Sequence, residues 1–259
     1  MIEWSDDGIV LSARRHGESA AIVSLLTRAH GRHAGIVLGG AGRRARGVYE
    51  PGNRVAAVWR ARLSEHLGHY ACELAESRAA ALLDDAVRLA ALSSAAALLD
   101  AALPEREPHA RLYDSLDGLV ARLCDPSASW SALYVRFELD LLTDLGFGLD
   151  LSRCAATGQS DDLAYVSPKT GRAVSAAAGA AYADLLLRLP RFLKGSAQEG
   201  LAASRVDIAA GLKLTGFFLE RHVFSQHAAD PNPKGGIPAA RDRLVVRLSG
   251  AATPSPALG

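Results

Sequence analysis

The sequence predicts an α+β protein in which a small β-barrel precedes a helical domain. Residues 1–77 contain short alternating segments separated by glycine turns, which is the pattern of a small barrel. After residue 77, alanine and leucine recur at the spacing of helices that bury one face. Between residues 146 and 178, glycine, proline and threonine interrupt that spacing, which indicates an irregular insert.

Five short strands are expected in the first part of the chain, at 8–14, 21–27, 32–38, 54–63 and 67–74. An OB-type barrel fits this count, and an SH3-like barrel fits it nearly as well. The strand at 54–63 alternates most clearly, and its apolar face carries Val55, Ala57, Trp59, Ala61 and Leu63. We therefore expect Trp59 in the barrel core.

The helical part begins with predicted helices at 79–103 and 108–124, and a third follows from a cap at Ser127 or Ser129. Gly146 is placed to end the third helix in the left-handed conformation. Later segments are predicted as a hairpin at 164–166 and 172–174, followed by helices at 177–187, 204–224 and 239–248.

These patterns predict a barrel domain over residues 1–77 and a helical domain over 78–249, with an insert at about 146–178. Residues 250–259 are small and are expected to form a disordered tail. The three cysteines lie far apart, which argues against disulfides. The acidic start and the charges within 79–103 predict a cytoplasmic protein without a membrane segment.

Positive charge is concentrated between residues 28 and 63, where eight arginines face one acid, Glu50, for a local net charge of +7. The whole chain carries only +1. The arginines are Arg28, Arg32, Arg43, Arg44, Arg46, Arg54, Arg60 and Arg62. Such a local excess is typical of a surface that binds a polyanion, and the near absence of acids favours this interpretation over the alternative of a merely solvated charged face.

The stretch from Gly39 to Gly47 is predicted to be a flexible arginine loop, because glycine and charge dominate it. Tyr49, next to this loop, is the candidate for stacking on bases. No nucleophile elbow, phosphate-binding loop or paired-histidine metal helix is present in the sequence. We therefore expect a protein that binds a polyanion, is not an enzyme and needs no cofactor.

Several runs of residues resemble one bacterial family in a consistent order from about residue 3 to 225. They are Glu3-Trp4, Asp7 to Leu11, Gly17-Glu18-Ser19, Thr27 to Gly31, Pro51-Gly52-Asn53, Tyr134 to Leu139, Leu145 to Leu151 with Cys154, and Tyr165 to Gly171. Together they resemble the recombination-mediator family RecO. The resemblance implies an N-terminal OB barrel and a helical C-terminal domain.

The resemblance also implies binding to single- and double-stranded DNA, strand annealing and a place near the nucleoid. Its implied partners are RecR and the acidic C-terminal tail of single-stranded-DNA-binding protein, and its implied outcome is loading of RecA. Arg136 matches the arginine associated with that tail, although a pair with Asp140 explains it about as well. Arg191 and Lys194, which flank Phe192, are a second candidate for the tail.

Many members of the family hold zinc with four cysteines in the insert. Here the matching positions are Cys154, Thr157 and, near the second pair, Ser175 and Ala178. One thiolate cannot hold a structural zinc ion, so we expect the insert to fold without metal.

Two other classes of function remain open at this stage. An RNA-binding OB protein would share the basic barrel, and its preference for RNA over DNA would distinguish it. A nuclease would need a cluster of carboxylates, which the sequence does not display.

Overall fold

The computed structural model describes residues 1–194, 203–225 and 236–250. The predicted α+β class is confirmed, since five strands come first and most helices follow. The chain divides into two compact units, Met1–Ala128 and Ser129–Gly259.

The first unit contains a closed five-stranded barrel with the strand order β1-β2-β3-β5-β4. The strands are β1 (Ile2–His16), β2 (Ala20–Thr27), β3 (Gly31–Val37), β4 (Arg54–Ala61) and β5 (His69–Glu76). β1 closes the barrel because it pairs with both β2 and β4. On the other side, β3 meets β5 in parallel, and the Ile36 N–H donates to the Gly68 carbonyl at 3.0 Å.

The barrel core confirms the alternation predicted for β4. Trp59 is 1% exposed, and its Nε1 donates to the Leu67 carbonyl at 3.0 Å, so the indole is buried with its polar group satisfied. Leu63 was predicted on the same face but is 49% exposed, because β4 ends at Ala61 and the alternation ends with it.

The prediction of a flexible arginine loop at Gly39–Gly47 is wrong in part, because a short helix, α1 (Arg43–Val48), forms within it. The glycines before α1 make the turn that leaves β3, with Gly39 at a φ of +71°. Ala41 N–H then donates to the Ser19 carbonyl at 2.9 Å, which ties the start of this stretch to the turn between β1 and β2.

Two longer helices complete the first unit. The helix predicted at 79–103 is interrupted: a 3-10 turn covers Ala79–Leu82, and α2 (Ala86–Ala102) begins after Asp85 caps it. The next helix, α3 (Ala110–Cys124), confirms the predicted stripe, since its leucines and Val120 are buried.

The first compact unit does not end where strands give way to helices, because it also includes α2 and α3. α2 packs against β1, and α3 packs against β2. This packing makes residues 1–128 one compact unit. The boundary predicted at residue 77, where strands give way to helices, therefore stays a prediction about the sequence pattern.

The second unit is built on three packed helices, α4 (Ser131–Asp144), α6 (Arg205–Phe218) and α7 (Ala239–Ser249). A π-helical turn, Leu219–Phe224, extends α6. The predicted serine cap of α4 is wrong, since Trp130 occupies the cap position without a side-chain hydrogen bond. The predicted stop at Gly146 is confirmed by its φ of +86°.

The insert contains the predicted hairpin as β6 (Leu163–Val166) and β7 (Ala173–Ser175), to which β8 (Leu187–Arg188) adds a third strand. The helix predicted at 177–187 is instead a short helix, α5 (Ala176–Gly179), followed by a 3-10 segment, Ala180–Leu185. Gly250 ends α7 in the left-handed conformation, and the predicted tail beyond it lies outside the described residues.

Candidate nucleic-acid interface

The arginines predicted to bind DNA fall into two sets, and the first set is paired with carboxylates of the same unit. Arg28 pairs with Asp114 of α3, and Arg54 donates to Asp7 of β1 at 2.8 Å. Arg60 donates to Glu3 at 2.5 Å and lowers the pKa of that carboxyl. These pairs are largely exposed, so a phosphate could displace the carboxylate at small cost.

Arg32 is the most firmly held member of the paired set. Its Nε donates to the Leu103 carbonyl at 2.7 Å, and its Nη1 lies 3.4 Å from Glu105 Oε1. Both partners belong to the connection between α2 and α3. Arg32 therefore holds that connection against the barrel and is the member of the patch least suited to bind a phosphate.

The second set comprises Arg43 and Arg46 on α1 and Arg62 just after β4. Among the residues that the structure describes, these three make no ion pair. The side chain of Arg44 lies outside the described part of the chain, although its backbone belongs to α1. Unpaired guanidiniums retain their full attraction for phosphates, so this set is the stronger part of the candidate interface.

The stacking role predicted for Tyr49 is wrong. Tyr49 follows α1, but its ring is only 6% exposed and packs in the barrel core with Val10, Val55 and Trp59. Burial raises the pKa of its hydroxyl above the ordinary range. An aromatic ring enclosed by the core has no free face for a base.

The structure adds two arginines that the sequence reading did not include. Arg14 and Arg15, at the end of β1, line a cleft together with Arg46 of α1. The signal was available in the sequence, because two consecutive arginines precede the turn at His16-Gly17. They lie outside the 28–63 window in which the charge excess was counted.

The residues predicted to bind a partner's tail meet at one place in the second unit. Arg136, on α4, donates through its Nη2 to the carbonyl of Phe192, which lies in the short turn Arg191–Leu193. Arg191 is exposed. Burial, followed by the charge of Arg191, lowers the pKa of the neighbouring Lys194. The two candidates treated separately in the sequence therefore form one cationic neighbourhood, which we call the tail site.

Side chains that pack closely against the backbone of α6 shape the tail site. A Cβ at Gly211 of α6 would lie 2.9 Å from Val135 Cγ1 and 3.0 Å from Phe192 Cζ, so only glycine fits there without displacement. Phe192 is buried in this contact. The buried ring fixes the turn, and the turn fixes where the Arg191 and Lys194 side chains begin.

The insert brings together Cys154, Thr157 and Ser175, three of the positions that the sequence resemblance matched to zinc ligands, but their donor atoms do not suit the metal. Cys154 Sγ accepts from the Ser175 N–H at 3.3 Å and lies 3.5 Å from Ser175 Oγ. Hydrogen bonds from Ser175 and Thr157 lower the pKa of the Cys154 thiol to about 6. One thiolate with two hydroxyls and Ala178 cannot form a structural zinc site. Within the described ranges, no group of three or more His, Cys, Asp or Glu side chains could hold a metal ion.

Comparison with known proteins gives consistent matches along the chain. The model described as Recombination protein O N terminal matches residues 1–78, and the model described as Recombination protein O C terminal matches residues 83–230. A "DNA repair protein RecO" of Rhodospirillum centenum is 55% identical over 256 residues, which covers 98% of each chain. The protein of that name from Methylobacterium nodulans is 52% identical over 249 residues, 95% of this chain and 98% of the relative.

Of the helices that the structure describes, none has the length and apolar character needed to span a membrane.

Proposed function

The chain belongs to the RecO family, and on this premise we propose that it is a non-enzymatic recombination mediator of RecF-pathway DNA repair. It binds single- and double-stranded DNA and promotes the annealing of complementary strands. With RecR and single-stranded-DNA-binding protein, it promotes the loading of RecA. These steps exchange non-covalent contacts, so the proposal assigns neither a catalytic residue nor a cofactor.

The observation that carries the DNA-binding role is the presence on the barrel of Arg43, Arg46 and Arg62, which form no ion pair with any residue that the structure describes. A guanidinium releases condensed counterions when it contacts a phosphate, and this release makes binding strongly dependent on salt. Few aromatic rings are exposed on the barrel, so contacts with the backbone should outweigh stacking on bases. The resulting binding would have weak sequence preference, as annealing of arbitrary strands requires.

The architecture supports the assignment of the barrel to the OB type. Its five strands close in an order that places β3 beside β5, and α1 lies between β3 and β4 in sequence. Barrels of the OB type bind oligonucleotides through one face and its flanking loops. We assign DNA binding to the domain over residues 1–77 and the contact with an acidic tail to the helical domain, 78–249.

The tail site suits a peptide with acidic residues and a terminal carboxylate. Arg191 and Lys194 present positive charge beside an apolar turn, and Arg136 lies directly under that turn. Charge-assisted hydrogen bonds to carboxylates would provide the affinity, and the apolar surface would receive the last side chain of the peptide. A protein that works with DNA and these partners would act in the bacterial cytoplasm near the nucleoid.

A salt titration of single-stranded DNA binding tests the proposal. Each phosphate contact adds about 0.7 to the magnitude of the log–log salt slope on single strands, so R43A/R46A/R62A should reduce it by roughly 2. R111A/R205A/R243A is the charge-matched control, because these arginines are exposed on helices and make no ion pair among the described residues. It should keep most of the wild-type slope.

The rate of annealing of complementary strands is measured with the same proteins. It should fall in R43A/R46A/R62A, the variant in which the salt slope falls. A wild-type protein that neither binds nor anneals DNA at low salt would refute the proposal. Tighter binding to a matched RNA would instead favour the RNA-binding alternative.

A further inference from the structure

A basic cleft opens where the β1–β2 hairpin meets α1. It has a volume of about 440 Å³. Its charged lining consists of Arg14, Arg15, Arg46 and Glu50, and its apolar lining includes Ala21, Tyr49 and Pro51. Three positive charges and one negative charge leave the lining with a net charge of +2.

Backbone contacts hold the two sides of this cleft together. Ala41 N–H donates to the Ser19 carbonyl at 2.9 Å and joins the start of the arginine stretch to the hairpin. A Cβ at Gly40 would lie 2.8 Å from the Ala21 Cβ, so the turn after β3 approaches β2 closely. Arg15 donates to the Gly17 and Glu18 carbonyls at 3.2 and 2.8 Å and stiffens the hairpin turn. These main-chain contacts fix the backbone on both sides of the cleft, and they therefore fix the Cα positions of its charged residues.

The charges of the cleft are available to a ligand. Arg14, Arg46 and Glu50 are exposed, and none of them makes an ion pair within the described part of the chain. Arg46 lies in the last turn of α1. Arg14, Arg15 and Arg46 line the same cleft, whose lining contains one carboxylate, Glu50, and Arg15 is already bonded to the hairpin carbonyls. This is the arrangement expected for a site that binds a phosphate group.

We propose that this cleft holds the phosphate backbone of a single DNA strand, with Arg14 and Arg46 on the phosphates and Glu50 limiting the affinity. This inference rests on the proposed function and adds Arg14 and Glu50 to it. The cleft has the size of a small-ligand pocket, so it can admit part of one strand. A duplex presents its two backbones on either side of grooves about 6 to 12 Å wide, and only its outer surface would touch the rim.

The test compares R14A and E50Q, two changes at exposed side chains that should act in opposite directions. R14A should lower the magnitude of the single-strand salt slope by about 0.7 and weaken binding. E50Q should tighten binding, because it removes a charge that repels phosphate. R14K should restore the slope, and R111A serves as a single-charge control outside the cleft.

Each protein is measured on an oligo(dT) strand and on a duplex of the same length, with inorganic phosphate as a competitor. The expected result is a larger effect of R14A and E50Q on the single strand than on the duplex. Displacement of the strand by millimolar phosphate would instead identify a site for free phosphate and overturn the proposal.

The outcomes separate this inference from the function on which it rests. A wild-type protein that does not bind DNA contradicts both. A wild-type protein that binds DNA with a steep salt slope, while R14A and E50Q behave like R111A, contradicts only the cleft. Equal effects on single strand and duplex would likewise overturn the assignment to a single strand.

Discussion

Arg241 of α7 and Glu138 of α4 form a buried, bidentate ion pair. Arg241 Nε donates to Glu138 Oε1 at 2.7 Å, and Nη2 donates to Oε2 at 2.9 Å. Thr215 of α6 also donates to Glu138, so one carboxylate joins three helices. Gly216 makes room for the guanidinium, because a Cβ there would lie 2.7 Å from Arg241 Nη1.

Breaking this pair should destabilise the second unit strongly. R241M leaves the Glu138 charge buried and unpaired, and such changes cost about 3–5 kcal/mol of unfolding free energy. The double variant E138L/R241M removes both charges and should be more stable than R241M alone. Chemical denaturation followed by circular dichroism measures these differences. R243A changes an exposed residue on the same helix, so its unfolding free energy should stay within about 0.5 kcal/mol of wild type. If R241M lost no more stability than R243A, the buried pair would contribute little.

The paired arginines of the barrel should become available when their acids are removed. Arg28 lies over the Tyr113 ring, 5.1 Å from its centroid, so it should stay in place when Asp114 no longer holds it. D114N and D7N should therefore raise single-strand affinity by up to about five-fold, since an exposed pair is worth at most about 1 kcal/mol. D184N removes an exposed acid in the second unit and is the control. If all three variants bind alike, the carboxylates do not compete with DNA.

The tail site predicts a separation between binding a peptide and binding DNA. R191A and R136A should each weaken binding of an acidic peptide with a C-terminal aromatic residue, while the DNA salt slope stays at its wild-type value. Fluorescence anisotropy with labelled peptide and labelled oligonucleotide measures both. R136A should also loosen the turn at Phe192, so R191A gives the cleaner result. A parallel loss of peptide and DNA binding would mean that the two ligands share a surface.

His33 should make the first unit sensitive to acid. It is 3% exposed beside the Trp4, Trp59 and Tyr70 rings, and burial, with Arg106 next, lowers its pKa from 6.5 to about 4. The unfolded chain takes up this proton first as the pH falls below 6.5, so stability is complete above that value and declines towards pH 4.

The decline should approach about 1.4 kcal/mol for each pH unit within that window. Denaturation midpoints at pH 7 and pH 5 measure it, and H33Q removes the contribution while leaving other titrating groups in place. A pH dependence that is the same in H33Q and wild type would assign the acid sensitivity to other groups.

The insert should fold without zinc. A chelator should leave the melting temperature of the purified protein unchanged, because Cys154 supplies the single thiolate of the site. C154A should cost about 1–3 kcal/mol, since it removes the acceptor of the Ser175 N–H, whereas C154S should cost less. Zinc in the purified protein, with melting lowered by a chelator, would contradict this expectation.

Local patterns in the sequence determined much of the fold. The alternation along β4 placed Trp59 in the core, the stripe of α3 placed Val120 inside, and Gly146 ended α4 as expected. Each of these features depends on residues within a turn or a strand of one another. Periodicity reports which face of an element is buried, and it needs no knowledge of the element's neighbours.

Tertiary structure decided which charges are free. Arg28 and Asp114 lie 86 residues apart, and only the packing of α3 on the barrel brings them together. The same folding turned Tyr49 inward, joined Arg136 to the turn at Phe192 and set Arg14 beside Arg46. A count of charges along a segment gives its net charge. The partner of each guanidinium depends instead on side chains from distant segments, because ion pairs act over a few ångströms in space.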